Sequence, residues 1–237
     1  MNFLATPWRT LQRFVLPLRC LLCNARGEHD IDLCNACAAE LPRNGSCCAR
    51  CALPLATPAA LCGECQRSQP PWDSAWAPFR YGWPLDRLES RYKFSSDLAA
   101  GRVLSMLWQR EPQPPRLPEL LLTVPLHRSR LRRRGYNQAL ELARPLASKL
   151  GVPLSHDTLL RRRSTTAQTE LDAVARRRNV HGAFALREGV TLPAHVAILD
   201  DVMTTGATLA ECTRVLRRAG VRQVDVWALA RAPSPRG

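Results

Sequence analysis

Two short apolar runs near the C-terminal end carry the clearest pattern of hydrophobic and polar positions in the chain. The run at residues 196–199 is too short for a helix and is typical of a buried strand, and a second run follows at residues 224–229. Between them, apolar residues recur at helical spacing from Leu209 to Ala219, and Gly220 supplies a stop signal. The pattern predicts a strand, a loop, a helix and a strand, the building block of a parallel sheet covered by helices.

Earlier segments extend this α/β pattern. Residues 120–124 predict a further strand, and residues 74–81 predict an edge strand or a hairpin arm. Helical spacing predicts one helix over residues 96–109, with Ser96 as its N-cap, and another through residues 140–150 that ends at Gly151. A proline-rich loop precedes the strand at 120–124.

The composition favours a globular chain with room for one large and one small domain. The 237 residues are 46% hydrophobic, and no apolar run reaches the roughly 18 residues that a membrane span needs. The first 18 residues make a poor signal peptide and instead predict a short amphipathic helix. The net charge of +14 comes almost wholly from arginine, which favours a polyanionic partner or reflects an arginine bias spread over solvated faces.

Nine of the ten cysteines lie between residues 20 and 65, and eight of them form four Cys-x-x-Cys pairs. Two such pairs complete a tetrahedral zinc site, and the regular spacing favours zinc over disulfides. Sequential pairing needs the shortest loops, so the sequence predicts two structural Zn²⁺ sites in tandem ribbons. The predicted ligands are Cys20, Cys23, Cys34 and Cys37 in the first site and Cys48, Cys51, Cys62 and Cys65 in the second.

Two cysteines remain outside these sets. Cys47 could replace Cys48 as a ligand, but only Cys48 keeps the two-residue spacing to Cys51. Cys212 falls on the apolar face of the helix predicted after residue 208 and is expected to be a core thiol. The polar, proline-bearing residues 66–71 then form a linker.

The segment after the strand at 196–199 has the chemistry of a ribose phosphate site. The strand end and the helix N-terminus favour a phosphate, because unpaired amides and the positive dipole end point there. Hydroxyls and small residues surround this point, and the acidic pair Asp200 and Asp201 suits neighbouring sugar hydroxyls or Mg²⁺. The loop residues are Thr204, Thr205, Gly206, Ala207 and Thr208. Without binding, a strand end followed by a capped helix would also explain these residue types.

Residues 199–208 closely resemble the phosphoribosyl pyrophosphate (PRPP) signature of type I phosphoribosyltransferases. The resemblance implies that Asp200 and Asp201, the predicted catalytic residues, contact the ribose hydroxyls and that the following loop binds the 5-phosphate. A Walker sequence is absent, so a P-loop is excluded.

Two further segments are expected beside this site. The strand at 120–124 leads into an arginine-rich loop, and Arg128 and Arg134 are predicted to bind the pyrophosphate of PRPP. An exposed basic loop without this role is the alternative. Residues 163–171 are polar and lack periodicity, so they predict a mobile lid that excludes water from the site.

The whole chain resembles the ComF family, close to its GntX and ComFC type. The resemblance rests on the cysteine pairs, on Arg134-Gly135-Tyr136-Asn137-Gln138, on Thr166-x-Gln168, on the segment 178–184 and on the PRPP signature. Tyr92-Lys93-Phe94 matches a family position where Lys93 is expected to contact phosphate.

The resemblance implies a specific architecture and setting. It predicts a parallel-sheet α/β fold of the type I phosphoribosyltransferases, residues 72–237, with a small N-terminal double zinc ribbon, residues 1–68. It further implies a cytoplasmic protein that binds PRPP with Mg²⁺ and is linked to DNA uptake, competence or the use of extracellular DNA.

Three hypotheses for function follow. The first is a phosphoribosyltransferase with an unidentified acceptor. The second is a non-catalytic PRPP-sensing or single-stranded-DNA-binding accessory protein whose partners include DNA-uptake proteins. The third treats Asp200 and Asp201 as a metal-nuclease pair, although such sites normally need further carboxylates.

Overall fold

A parallel sheet lies at the centre of the computed structural model, which describes residues 18–28, 30–163 and 178–233. The strands are β1 (Ser74–Trp76), β2 (Phe79–Arg80), β3 (Leu120–Thr123), β4 (Leu154–Ser155), β5 (Leu159–Arg161), β6 (Phe184–Leu186), β7 (His195–Met203) and β8 (Gln223–Arg231). The order is β1–β8–β7–β3–β4, all parallel, with β2 also parallel to β8 along the same edge. The strands predicted at 120–124, 196–199 and 224–229 are therefore confirmed, and residues 74–81 form the edge rather than a hairpin arm.

Helices cover both faces of this sheet. They are α1 (Asn35–Ala39), α2 (Gly63–Arg67), α3 (Leu85–Phe94), α4 (Leu98–Arg110), α5 (Arg128–Arg134), α6 (Gln138–Leu150) and α7 (Ala207–Arg218). Strands β5 and β6 form a separate antiparallel pair. In the described part of the chain, no helix has the length and apolarity that a bilayer crossing demands.

The alternation of side chains along β7 explains why the sheet is covered twice. Ala197 and Leu199 belong to one apolar cluster together with residues of α3, α4 and α6. Val196 and Ile198 belong to the other cluster, which includes residues of α7. Since successive strand residues point to opposite faces, a continuous apolar run is what a strand buried on both faces requires.

The two cysteine-rich segments pack on opposite layers. The first ribbon (residues 20–37) places Cys20 and Cys34 in the apolar cluster of α3, α4 and α6. The second ribbon (residues 48–65) places Cys48, Cys51 and Cys62 in the cluster of α7. Each ribbon thus shares a core with the central domain.

Three local expectations are wrong. Helix α4 begins at Leu98 with Asp97 as its N-cap, whose side chain accepts hydrogen bonds from the N–H groups of Ala99 and Ala100, whereas Ser96 lies outside the helix at φ +52°. The arginine-rich segment is the helix α5, because His127 caps its start and Gly135, at φ +84°, ends it. Strand β7 extends to Met203, so Asp200 and Asp201 are strand residues.

The other helix predictions are confirmed. Helix α6 ends at Gly151, which adopts φ +66°, and α7 ends just before Ala219 and Gly220. The amphipathic helix expected before residue 18, the lid expected at 163–171 and the Thr166-x-Gln168 match lie outside the described residues, apart from Leu18 and Arg163 at their borders.

Candidate functional site

Asp200 and Asp201 lie at the carboxyl edge of the sheet, where ligands bind in open α/β folds. Asp200 Oδ1 accepts a hydrogen bond from the N–H of Asp201 at 2.9 Å, and Asp201 Oδ1 accepts one from the N–H of Val202 at 2.6 Å. Burial, followed by the charge of Asp201, raises the pKa of Asp200 to about 7. A ligand that donates hydrogen bonds to Asp200 would therefore favour its ionised form.

Lys93 reaches this acidic pair from the last turn of α3. Its Nζ lies 3.0 Å from Asp201 Oδ2 and 3.3 Å from Glu89 Oε2. Burial alone would lower the pKa of Lys93, but Asp201 and Glu89 raise it above its ordinary range, so the side chain stays charged. The structure thus brings together Lys93 and the acidic pair, which stand more than 100 residues apart in the sequence.

Glu89 is a member of this cluster that sequence reasoning missed. Its side chain is fully buried, and its carboxylate oxygen Oε2 forms an ion pair with Lys93 Nζ at 3.3 Å. Burial raises the pKa of Glu89 to about 7, while Lys93 and Arg134 lower it and Asp201 raises it. One lysine therefore faces three carboxylates, and the only sequence signal for Glu89 was its position four residues before Lys93 on a helix.

The phosphate loop (residues 204–208) follows β7 and opens α7. Gly206 is the N-cap of α7 at φ +71°, a conformation that favours glycine. A Cβ on Gly206 would stand 2.7 Å from Trp72 Cη2, so glycine also permits this close approach. Thr205 Oγ1 accepts a long hydrogen bond, 3.4 Å, from the N–H of Ala207. The loop presents hydroxyls, first-turn amides and the positive end of a 12-residue helix.

The motif Arg134-Gly135-Tyr136-Asn137-Gln138 fixes α3 against β3. The Tyr136 hydroxyl donates to the carbonyl of Tyr92, the residue before Lys93, and the two rings lie 5.3 Å apart. Asn137 Nδ2 donates to the Val124 carbonyl at 3.0 Å, while Asn137 Oδ1 accepts from the N–H of Ala139. Tyr92 in turn donates to the Gln138 carbonyl at 3.3 Å. The motif therefore positions Lys93 through its neighbour.

The arginines stand at different distances from the acidic cluster. Arg134, at the end of α5, is half-buried and close enough to Glu89 to lower the pKa of that carboxyl. Arg128 is exposed in the first turn of α5. Arg161 belongs to a basic cluster at residues 161–163 that was not predicted to be part of the site, and it ends β5 on the second sheet. Burial and then Arg130 lower the pKa of Arg161 to about 10, while Cys212 and Asp200 oppose this shift.

A cavity of about 670 Å³ lies between the phosphate loop and the second ribbon. Thr205, Gly206 and Ala207 line it, whereas Asp200, Asp201 and Lys93 do not. Trp72 and Arg231 form part of its wall. The cavity therefore separates part of the loop from the ribbon, while Met203 and Ala207 share an apolar cluster with the ribbon cysteines.

The two predicted cysteine sets each come together. Within each set the four sulfurs lie within 4.8 Å of one another, and no other group of three or more histidines, cysteines and acids in the described residues meets that distance. Cys23 and Cys34 sulfurs are 3.6 Å apart, and Cys51 and Cys62 sulfurs are 3.7 Å apart. A tetrahedral Zn²⁺ with bonds of about 2.3 Å needs sulfurs about 3.8 Å apart, so both sets fit zinc.

Within each set the thiols differ in how readily they ionise. Backbone N–H donors lower the pKa of Cys20 to about 6 and that of Cys48 to about 7 against the effect of burial, whereas burial raises the pKa of Cys37, Cys51 and Cys65 above the ordinary thiol range. Four thiolates close the coordination sphere, which is typical of a structural site. Cys47 lies outside the second set, and Cys212 is fully buried on α7.

Comparisons with known proteins describe the same two parts. Residues 11–66 match the family model of the double zinc ribbon domain, and residues 137–237 match that of the phosphoribosyl transferase domain. The match and the two cysteine sets support structural zinc.

Relatives cover most of the chain. A protein named DNA utilization protein YhgH from Salmonella typhimurium is 38% identical over 205 residues, covering 84% of this chain and 90% of the relative. Competence protein F of Haemophilus influenzae is 36% identical over 225 residues, covering 90% of this chain and 97% of the relative. Competence protein ComFC of Streptococcus pneumoniae is 27% identical over 155 residues, covering 65% of this chain and 67% of the relative.

Proposed function

Because this chain belongs to the ComF family, which combines a double zinc ribbon with a phosphoribosyltransferase domain, we propose that it binds PRPP at the carboxyl edge of its sheet. In this proposal residues 1–68 form the zinc-binding module and residues 72–237 the PRPP-binding domain. Eight zinc thiolates require a reducing compartment, so we place the protein in the cytoplasm.

Each part of PRPP has a counterpart in the site. Asp200 and Asp201 accept hydrogen bonds from the ribose hydroxyls, because ionised carboxylates are pure acceptors. The amides and hydroxyls of residues 204–208 hold the 5-phosphate at the N-terminus of α7. Lys93 and Arg134 face the pyrophosphate, and Arg128 can swing in from the first turn of α5.

Mg²⁺ fits this arrangement as a partner of the substrate. In proteins it is usually held by one or two carboxylates together with substrate phosphates, and Asp200 and Asp201 supply the carboxylates. When bound, the ion would neutralise charge on the pyrophosphate. The described residues offer no cage of three or more acidic or histidine ligands at this edge, which argues against the nuclease hypothesis.

The single observation that carries the proposal is the placement of Lys93. Its Nζ is 3.0 Å from Asp201 Oδ2, so a cation stands at the acidic pair on which the ribose would rest. In a transferase reaction the bond from the anomeric carbon to pyrophosphate breaks and the carbon bonds to an acceptor. Fixed cations that receive the departing pyrophosphate lower the barrier to that step.

Calorimetric titration of PRPP with and without Mg²⁺ tests the proposal. Wild type is expected to bind, and the double variant Asp200→Asn/Asp201→Asn is expected to bind at least about 100-fold more weakly, because it loses two hydrogen bonds to charged groups. Asp157→Asn is a control for a carboxylate removed from an exposed ion pair with Arg187. Equal PRPP affinity in the double variant and wild type would show that the acidic pair is not the ribose site.

Pyrophosphate release then separates an enzyme from a PRPP sensor. Wild type is incubated with PRPP, Mg²⁺ and candidate acceptors such as nucleobases and single-stranded DNA. Release that depends on one acceptor and is abolished in the double variant identifies a transferase. Binding without release under every acceptor favours a non-catalytic PRPP-sensing role.

A second candidate function is single-stranded DNA binding through α5. This short helix carries five arginines, among them the exposed Arg132 and Arg133, and the relatives are named for competence and DNA utilization. If these arginines neutralise phosphates, Arg132→Gln/Arg133→Gln reduces the slope of log affinity against log salt by about 0.7 for each phosphate that is no longer neutralised. An unchanged slope would exclude α5 as the DNA-binding element, and PRPP affinity serves as the control.

A further inference from the structure

The second ribbon and the phosphate loop are joined by one buried arginine. Arg231, the last residue of β8, is 8% exposed. Its Nε donates to the carbonyl of Cys51 at 3.0 Å, and its Nη1 donates to the carbonyl of Met203 at 3.1 Å and to that of Thr204. A single guanidinium thus binds the backbone of a predicted zinc ligand and the backbone on which the phosphate loop begins.

Trp72 forms a second link between the same two parts. Its Nε1 donates to the carbonyl of Arg50 at 2.6 Å, next to Cys51, and its side chain is 3% exposed. The far edge of the ring lies against Gly206, the N-cap of α7. Arg231 and Trp72 both line the 670 Å³ cavity that lies between the loop and the ribbon.

The two cysteine sets differ in their surroundings. All four cysteines of the second set are buried, and the hydrogen bonds from Arg231 and Trp72 both end on the backbone of its first turn. In the first set Cys23 is exposed and Cys37 is half-buried. The first ribbon is bonded instead to α3 and α4, through Arg91 to the Leu21 carbonyl and through Arg102 to the Asp30 carbonyl.

We propose that Arg231 and Trp72 are positioning residues that couple zinc in the second cysteine set to the phosphate loop, so that zinc and PRPP strengthen each other's binding. This inference rests on the proposed PRPP site. When zinc fixes the turn at residues 48–51, the carbonyls of Arg50 and Cys51 hold Trp72 and Arg231 in place. These side chains then fix Gly206 and the carbonyls of Met203 and Thr204 in the conformation that receives a phosphate.

Coupling between two binding sites is reciprocal, which gives the test. Zinc transfer from the intact protein to a chromogenic chelator is followed with and without saturating PRPP and Mg²⁺. Of the two zinc equivalents, one is expected to leave about fivefold or more slowly when PRPP is bound, and the other at an unchanged rate. PRPP affinity is measured by calorimetry on the same samples.

Variants assign the effect to the proposed links. Arg231→Gln is expected to abolish the protection of zinc by PRPP and to weaken PRPP binding by about fivefold or more. Trp72→Phe removes both the N–H that donates to the Arg50 carbonyl and the far edge of the ring that lies against Gly206, so it is expected to reduce the protection. Arg102→Gln is the matched control, because Arg102 also donates to a backbone carbonyl of a ribbon, that of Asp30, but in the first ribbon rather than the second.

The outcomes separate the two proposals. If wild type binds PRPP but zinc release is the same with and without it, the coupling is refuted and the PRPP site stands. If PRPP slows zinc release equally in wild type, Trp72→Phe and Arg231→Gln, the role of these two residues is refuted. If wild type binds no PRPP, the proposed function fails and the coupling fails with it. Should Arg231→Gln not fold, Trp72→Phe still tests the same link.

Discussion

Replacing Glu89 by glutamine removes an ionisable carboxyl group from the acidic cluster and leaves a side chain of similar size in its buried position. Glu89 is fully buried, and Lys93 is its ionic partner at 3.3 Å. The substitution keeps the size of the side chain and leaves Lys93 paired with Asp201 at 3.0 Å. What changes is that residue 89 can no longer ionise.

The sign of the effect follows from the direction of the pKa shift. Burial raises the pKa of Glu89 from 4.5 to about 7, so the folded chain holds this proton more tightly than the unfolded chain. The contribution of Glu89 to wild-type stability therefore falls as pH rises from about 4.5 to about 7, and its full loss is present above that range. A shift of this size corresponds to about 3 kcal/mol, of which about 2–3 kcal/mol develops between about pH 5 and pH 8.

Urea unfolding of both proteins at about pH 5 and pH 8, with zinc present, measures this difference. The stability of Glu89→Gln relative to wild type is expected to increase by about 2–3 kcal/mol from the lower to the higher pH. Glu141→Gln, which removes an exposed carboxylate paired with Arg144, is the control and should change stability by less than about 0.5 kcal/mol at either pH. A difference between Glu89→Gln and wild type that stays the same at both pH values would refute the assignment of Glu89 as a buried acid with a raised pKa.

Three further predictions test separate parts of the molecule. Gly206→Ala should lower stability by about 1–3 kcal/mol more than Gly151→Ala, because both glycines have positive φ but only Gly206 has the Trp72 ring where a Cβ would stand. Equal losses of unfolding free energy in urea for the two variants would contradict the clash. Cys48→Ser should reduce bound zinc from two equivalents to about one, whereas Cys47→Ser should leave both, as mass spectrometry of the native protein will show. Tyr136→Phe removes the hydroxyl that donates to the Tyr92 carbonyl and should cost about 1 kcal/mol of stability. PRPP binding in calorimetry should also weaken, because Lys93 is held less firmly. An unchanged affinity for PRPP would show that this hydrogen bond does not position Lys93.

The central sheet could be predicted from the sequence because its strands are buried on both faces. Residues 196–199 and 224–229 are continuous apolar runs, which only such strands need. The Cys-x-x-Cys spacing likewise predicts which sulfurs meet, since short loops limit the possible pairings. In both cases the determining signal is local.

The errors arose where a single contact decides the local structure. Five arginines around Leu131 give α5 no apolar periodicity, and its helix depends on the His127 cap and on Gly135 at φ +84°. Serine and aspartate are both common N-cap residues, so the sequence alone does not distinguish Ser96 from Asp97. In the structure Ser96 adopts φ +52° and lies outside the helix, and Asp97 is the N-cap of α4.

The residues missed at the site depend on contacts between distant segments. Glu89 becomes part of the site because it is buried beside Asp201. Arg231 becomes a link because it donates to carbonyls that are 28 and 180 residues away in the chain. Neither has a local pattern that would distinguish it from other charged residues. Helix α3 has apolar residues at helical spacing, Leu85, Leu88 and Tyr92, but no local signal indicates its contact with the acidic pair.

Hydrogen exchange on the intact protein tests most directly whether residues 200–208 form the PRPP site. With PRPP and Mg²⁺ present, amides of the phosphate loop and of the first turn of α7 are expected to exchange more slowly, together with those at the end of α3 that carries Lys93. The Asp200→Asn/Asp201→Asn variant should show none of this protection. Slower exchange confined to other parts of the chain, or the same protection in the double variant, would contradict the assignment of this site.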